Sequence, residues 1–220
     1  MPDPPAKAYP GAVMSVQELP SKPNTLRDRK KAKVRATIIE AAIRQFRDNG
    51  FEKTRIEDIA VAAEVAVATM YNYFPTKQQI LLEIARKATD DAQPAIQAIV
   101  AKPPRNPIDA LIAMLKADCG NLDAEDDKKL WRELLATMIR DQESRIRIEA
   151  VRDILRGNFR TLISALIQNG QLRKSINVEV LSDICYAIYA YHFRQLVCLE
   201  ATTTAQALKL MRRDFKMLLE

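Results

Sequence analysis

The chain has 220 residues, of which 48% are hydrophobic and 28% charged, a balance that excludes a wholly disordered chain. Its 5 glycines are too few for the many turns of a β-sandwich or barrel, and helix-forming residues are abundant. No apolar run reaches the roughly 18–20 residues of a membrane span. The proline-rich start does not have a basic stretch followed by an apolar core, which a secretory signal would have. The net charge is +6, and residues 22–55 carry 11 basic against 4 acidic residues. We therefore expect an all-helical cytoplasmic protein with a polyanionic partner.

The first residues and the first helix differ sharply in composition. Residues 1–25 hold six of the 11 prolines and are predicted to form a disordered tail. A helix is predicted over residues 26–49, because Ile38, Ala42 and Phe46 recur on one face and an Asn-Gly pair follows as a stop signal. Its basic first turns precede this apolar face.

Two short helices follow. Thr54 and Glu57 have the spacing of a capping box, which predicts a helix over residues 55–63. A break near Glu64 separates it from a second helix predicted over residues 67–73.

The remainder of the sequence predicts further helices. Thr76 and Gln79 form a second capping-box pattern, which opens a helix reaching about residue 99, and a proline-rich loop covers residues 101–107. Apolar periodicity then predicts helices over residues 108–119, 125–140, 143–168, 178–200 and 204–219. The chain should thus contain about nine helices and no sheet.

The two short helices have the arrangement of a helix-turn-helix at about residues 55–74. In such a unit the second helix lies in the major groove of DNA, and the first crosses the backbone. Thr54 and Arg55 precede the first helix, where amide groups and the helix dipole favour a phosphate. Lys77 stands in the first turn of the next helix and can attract another phosphate.

Residues 35–82 resemble the DNA-binding domain of the TetR (tetracycline-repressor-like) family of bacterial transcriptional regulators. The resemblance is carried by residues 38–46, 49–51, 54–60, Val65, 69–74 and 77–81. It implies a three-helix DNA-binding domain over residues 26–88 and a helical ligand-binding and dimerisation domain over residues 89–220.

The resemblance also implies a set of DNA-binding residues. These are Thr54, Arg55, Val67, Ala68, Thr69, Tyr71, Asn72, Tyr73 and Lys77. We expect Val67 and Asn72 to lie nearest the base edges, since Asn can pair with adenine and Val can contact a thymine methyl group. Thr69, Tyr71 and Lys77 are expected to contact the backbone. Structural roles remain open for three of them: Thr54 as a helix cap, Tyr73 as part of an apolar seam and Lys77 as a solvated side chain.

The sequence departs from the family at the turn. Glu64 stands where Gly is usual, Ala66 replaces a capping Ser or Thr, and Ala68 replaces a frequent Gly. The recognition helix carries no Arg or Lys, so guanine readout by Arg is not available there. The basic segment before residue 35 is therefore a stronger candidate for supplying affinity for DNA, which it would do as a flexible arm.

Two sets of C-terminal residues are candidates for ligand binding and dimerisation. A ligand cavity could be lined by Met114, Trp131, Met138 and Phe159, although such side chains often form plain core. Apolar spacing on the last two helices predicts faces that must be covered, and the resemblance implies that a second subunit covers them. The implied dimer interface comprises Leu181, Cys185, Ile188, His192, Leu208, Met211, Phe215 and Leu218. The alternative is that both helices are covered within one subunit.

The resulting hypothesis is a homodimeric DNA-binding regulator, a repressor released by a small-molecule effector, whose operator is palindromic. A single His, three Cys without CxxC spacing and no glycine-rich phosphate loop argue against an enzyme, a metal site or a cofactor. The alternative is a helical interaction module whose basic N-terminal segment binds a membrane surface or another polyanion. Sequence preference on DNA would separate the two.

Overall fold

The computed structural model describes residues 25–120 and 122–220, and these form nine α-helices without a strand. The helices are α1 Leu26–Asn49, α2 Ile56–Ala62, α3 Val67–Tyr73, α4 Lys77–Ala101, α5 Pro107–Cys119, α6 Glu125–Arg140, α7 Gln142–Gln168, α8 Val178–Cys198 and α9 Thr204–Leu219. The predicted all-helical class and number of helices are confirmed. Apart from Thr25, the predicted tail lies outside the described residues.

The chain divides into two units between residues 36 and 37, within α1. The described part of the first unit begins with Thr25, whose hydroxyl accepts a hydrogen bond from the Asp28 amide at 3.1 Å. The Asp28 carboxylate accepts in return from the Thr25 amide at 3.2 Å, so the two residues cap the helix reciprocally. The expectation of a flexible arm before residue 35 is therefore wrong for residues 26–35, which are helical.

In the second unit, the first three helices bury one apolar face each. The rest of α1 buries Ile38 and Phe46, α2 buries Ile59, and α3 buries Met70. The Phe46 ring lies against Phe51, with centroids 5.1 Å apart. These contacts fix the two short helices of the motif in place.

Helix α4 runs without interruption through residue 88, where the sequence predicted a domain boundary. It contains Pro94, which has no amide hydrogen to donate to the preceding turn. The helix packs against α5, α6 and α7, and one continuous helix therefore spans the predicted boundary.

The larger hydrophobic core lies among α4, α5, α7, α8 and α9. Met114 on α5, Phe159 on α7 and Phe215 on α9 are fully buried in it. In the part of the chain that the structure describes, no helix is long and apolar enough to cross a membrane, and no group of three metal-ligating side chains occurs.

Candidate functional site

The turn between α2 and α3 is tight and contains one strained residue. The Glu64 amide donates to Val61 O at 3.1 Å, and the Val65 amide donates to Ala60 O at 3.0 Å. Glu64 has a φ of 55°, a left-handed conformation that costs an L-residue about 1–2 kcal/mol. The departure from the family's Gly is thus accommodated by strain, and the turn is kept.

Helix α3 presents one face to solvent and buries the other. Met70 is 0% exposed and the following Phe74 is 2% exposed, so these two side chains anchor the helix. The outward face comprises Val67, Ala68, Tyr71 and Asn72, with Thr69 and Tyr73 half-buried beside it. An amide, a phenol and several methyl groups are therefore available for contact. As expected, the N-cap residue Ala66 makes no side-chain hydrogen bond.

Tyr71 is linked to the first helix of the motif. Its hydroxyl donates to Glu57 Oε1 at 3.0 Å, and Arg55 Nε lies 3.5 Å from the other carboxylate oxygen of Glu57. A backbone amide and the Tyr71 hydroxyl donate to the Glu57 carboxylate and lower its pKa. Sequence reasoning treated Glu57 only as a helix-start residue and missed this connection, because periodicity does not show which α3 residue faces α2.

The structure corrects the role expected for Thr54. Its side chain is 2% exposed, and its hydroxyl donates to Gly50 O at 2.8 Å and to Gln45 O at 3.1 Å. It therefore closes the turn after α1 and is not available to a phosphate. The predicted capping box with Glu57 is also wrong, since α2 begins one residue later and the Asp58 carboxylate accepts from the Arg55 amide at 3.0 Å.

Lys77 has a structural partner at the same turn. Its ammonium group donates to Phe51 O at 2.8 Å and to Glu52 O at 3.1 Å, and it lies 4.8 Å from the centre of the Phe51 ring. Two of its three donors are thus used within the protein. The predicted phosphate contact remains a prediction that depends on the third.

Comparison with known proteins identifies this arrangement. Residues 38–84, which contain α2, the strained turn and α3, match the family model described as "Bacterial regulatory proteins, tetR family". This segment of the chain is similar to the TetR family. The resemblance seen in the sequence is confirmed.

Individual relatives are similar to parts of this chain or to its fold. The chain is 31% identical over 109 residues to the HTH-type transcriptional regulator TcmR of Streptomyces glaucescens, covering 49% of this chain and 46% of that protein. It thus spans less than half the length of the curated relatives it matches.

Two solved structures have the same fold at lower identity. Thermus thermophilus FadR, described as a transcriptional repressor in complex with lauroyl-CoA, is 20% identical, with a TM-score of 0.65 over 84% of this chain and 93% of that chain. A regulator from Saccharomonospora viridis in complex with choline is 19% identical, with a TM-score of 0.61 over 85% and 95% of the two chains.

The structure contains two adjoining cavities. One, of about 450 Å³, is bounded by residues of α1, α4, α5 and α6. The other, of about 500 Å³, is bounded by α4 to α8. Of the predicted ligand-binding residues, Trp131 lines both cavities.

The other three predicted ligand residues lie elsewhere. Met114 and Phe159 are fully buried in the core, so their assignment to a ligand is wrong. Met138 does not line either cavity. All three positions carry the apolar pattern of a core, and sequence spacing does not distinguish a core side chain from one that borders an empty space.

Both cavities are also lined by a carboxylate that sequence reasoning missed. Asp118 accepts a hydrogen bond from the Tyr189 hydroxyl at 2.9 Å, and burial raises the pKa of its carboxyl to about 6. The first cavity is lined by two further acidic groups, Asp91 and Asp127, of which Asp127 pairs with Arg47 of α1 at 2.6 Å. The sequence signal for Asp118 was its position in the last turn of α5, where a negative charge is unfavourable.

The residues predicted for dimerisation face the interior of one subunit. Leu181, Cys185, His192, Met211 and Phe215 are buried, and His192 Nε2 lies 2.6 Å from Asp214 Oδ2. The remaining three, Ile188, Leu208 and Leu218, pack partly buried against the same core. The assignment of the five buried residues to a dimer interface is therefore wrong, because the periodicity marked the intramolecular faces of α8 and α9. The assignment of Ile188, Leu208 and Leu218 stays a prediction, since these side chains are partly exposed.

A different set of apolar side chains is exposed on the last two helices. It comprises Val180, Ile184 and Tyr191 on α8, and Leu210 and Met217 on α9. Together they are the exposed apolar side chains that a second subunit could cover.

Proposed function

We propose that this chain is a DNA-binding transcriptional regulator of the TetR family, a repressor that binds a palindromic operator as a homodimer and is released by a small molecule. The observation that carries the proposal is the outward face of α3, held on a helix-turn-helix that lies within the matched segment. Residues 26–88 would form the DNA-binding domain, and residues 89–220 the effector and dimerisation domain.

The chemistry of this face suits duplex DNA. Asn72 offers an amide that can bind adenine through two hydrogen bonds, and Val67 offers methyl groups for thymine. Tyr71 and Arg55 are suited to phosphate oxygens, which fix the position of the helix on the duplex. The basic residues at 27–35 would add attraction that does not depend on sequence.

Selection from random duplexes tests DNA binding while the operator sequence is still unknown. The purified protein should enrich an inverted repeat whose half-site centres lie about 34–36 Å apart, one helical turn. Retention of all duplexes alike, with equal retention of anionic vesicles, would instead favour the basic interaction module.

Dimerisation is proposed through the exposed apolar side chains of α8 and α9. Ile184→Glu would place a charge among them, which is costly to bury without a partner. Light scattering should give twice 24.9 kDa for the parent chain and about half of that mass for the variant. Ile139→Glu on α6, which changes an equally apolar and more exposed residue, is the matched control. Identical masses for parent and Ile184→Glu would contradict this interface.

The effector is proposed to bind in the two adjoining cavities, the first of which includes Arg47 and Asp127. This ion pair joins the end of α1 to α6. Helix α4, which follows the helix-turn-helix in the chain, borders the same cavity. A ligand that fits the cavity in only one arrangement of these helices would shift the population between two states. Complexes of related folds with lauroyl-CoA and with choline support a small-molecule effector here.

A further inference from the structure

The half-buried carboxylate of Asp118 stands in surroundings that disfavour a negative charge. It lies in the last turn of α5, where unpaired carbonyl groups give the helix end a partial negative charge. Its hydrogen-bond donor is the neutral hydroxyl of Tyr189, at 2.9 Å. A carboxylate held in this way lacks the positive partner that buried charges ordinarily have.

An aromatic wall lies beside this carboxylate. The Trp131 indole meets the Phe193 ring edge to face, with centroids 5.2 Å apart, and Phe193 stacks on Tyr189 at 5.4 Å. All three rings line the cavity of about 500 Å³ that Asp118 also lines. Aromatic faces attract cations through the ring quadrupole, so the wall and the carboxylate favour the same kind of ligand.

The basic side chains around the two cavities have other partners. The charged and titratable groups that line the cavities with Asp118 are Arg47, Lys87, Asp91, Asp127, Arg152, Arg194, Cys119, Tyr186, Tyr189 and Tyr191.

Three of the four basic groups pair with other carboxylates: Arg47 with Asp127, Lys87 with Asp91 and Arg152 with Glu149. The fourth, Arg194, lies 5.9 Å from the centre of the Tyr191 ring. Within the described residues, no side-chain cation forms an ion pair with Asp118.

We propose that Asp118 binds the positive charge of an organic cation whose apolar body lies against Trp131, Tyr189 and Phe193. The proposal rests on the proposed function, since it assigns a chemical class to the effector of that regulator. A cavity of about 500 Å³ has the size of an ordinary small-molecule site. An aryl or alkyl ammonium compound has the positive charge that would pair with Asp118 and the apolar surface that would contact the aromatic wall.

The test uses two probes of equal shape and different charge, benzyltrimethylammonium and its neutral carbon analogue neopentylbenzene. Trp131 is the only tryptophan of the chain and lines the site, so its fluorescence reports binding directly. The parent chain should bind the cation, and Asp118→Asn should weaken that binding at least tenfold. Binding of the neutral analogue should change less than twofold, which shows that the cavity of the variant is intact.

Asp109→Asn is the matched control, because it removes an exposed carboxylate from the same helix and should leave both affinities unchanged. Failure of the parent chain to bind the cation, or equal binding by Asp118→Asn, would overturn the proposal. Duplex binding is measured separately on the same samples. A protein that binds duplex but no cation refutes this inference alone, whereas one that binds the cation but no duplex refutes the proposed regulator and leaves the cation site standing.

Discussion

The carboxylate of Asp118 should reduce the stability of the folded protein at neutral pH. Burial raises its pKa from 3.8 to about 6, so the ionised form is less favourable in the folded chain than in the unfolded one. At 1.36 kcal/mol for each pKa unit, the cost is about 3 kcal/mol. Because the folded-state pKa is the higher one, the cost is absent below pH 4, grows between pH 4 and 6, and is complete above pH 6.

Asp118→Asn removes this charge and keeps an acceptor for the Tyr189 hydroxyl. Burying the new amide hydrogens costs about 1–2 kcal/mol and offsets part of the stability gained by removing the charge. We therefore expect the free energy of unfolding to rise by a net amount of about 1–2 kcal/mol at pH 8. For a chain of 220 residues, that raises Tm by about 2–8 °C.

Thermal unfolding followed by circular dichroism at pH 8 and at pH 5 measures the effect. At pH 5 the charge cost in the parent chain falls to roughly half, about 1.5 kcal/mol, while the cost of the buried amide is unchanged, so the advantage of the variant should nearly vanish. A variant that is less stable than the parent at pH 8, or a difference that does not depend on pH, would refute the reasoning.

Three further predictions concern the helix-turn-helix. Lys77→Met removes the hydrogen bonds to Phe51 O and Glu52 O and should lower stability by about 1–2 kcal/mol in urea unfolding; an unchanged midpoint would contradict the structural role of the ammonium group. Glu64→Gly relieves the positive φ and should raise stability by up to about 1 kcal/mol, whereas Glu64→Val should lower it, and the reverse order would be decisive against strain. Glu57→Gln removes a negative charge from the proposed DNA face, so fluorescence anisotropy should show tighter duplex binding; weaker binding would mean that the carboxylate positions the tyrosine for contact.

Much of the fold was predictable because its signals are local. The apolar spacing of Ile38, Ala42 and Phe46 and the Asn-Gly stop predicted α1 with its observed bounds. One half of the capping box predicted for α4 is confirmed, since the Thr76 hydroxyl accepts from the Gln79 amide at 3.2 Å. The unusual turn at Glu64 was visible as a departure from the family pattern.

The errors came from choices between competing partners. Thr54 has the right spacing to cap α2, but the carbonyl groups of the preceding turn take its hydroxyl. The apolar seam containing Met211 and Phe215 was correctly identified as needing cover, but the cover is intramolecular. Periodicity shows that a face is buried and does not show which neighbour buries it. Asp118 was missed for a different reason: its one sequence signal, a negative charge in the last turn of α5, does not show that the side chain borders a cavity.

The central claim, that the outward face of α3 reads DNA, is tested most directly by duplex binding of Asn72→Ala. On the duplex obtained by selection, fluorescence anisotropy should show a loss of about 1–3 kcal/mol, roughly tenfold to hundredfold in affinity. Binding to a scrambled duplex should be unchanged, and Ile139→Ala on α6 should behave as the parent chain. If Asn72→Ala and Tyr71→Ala both bind the selected duplex as tightly as the parent chain does, the claim is contradicted.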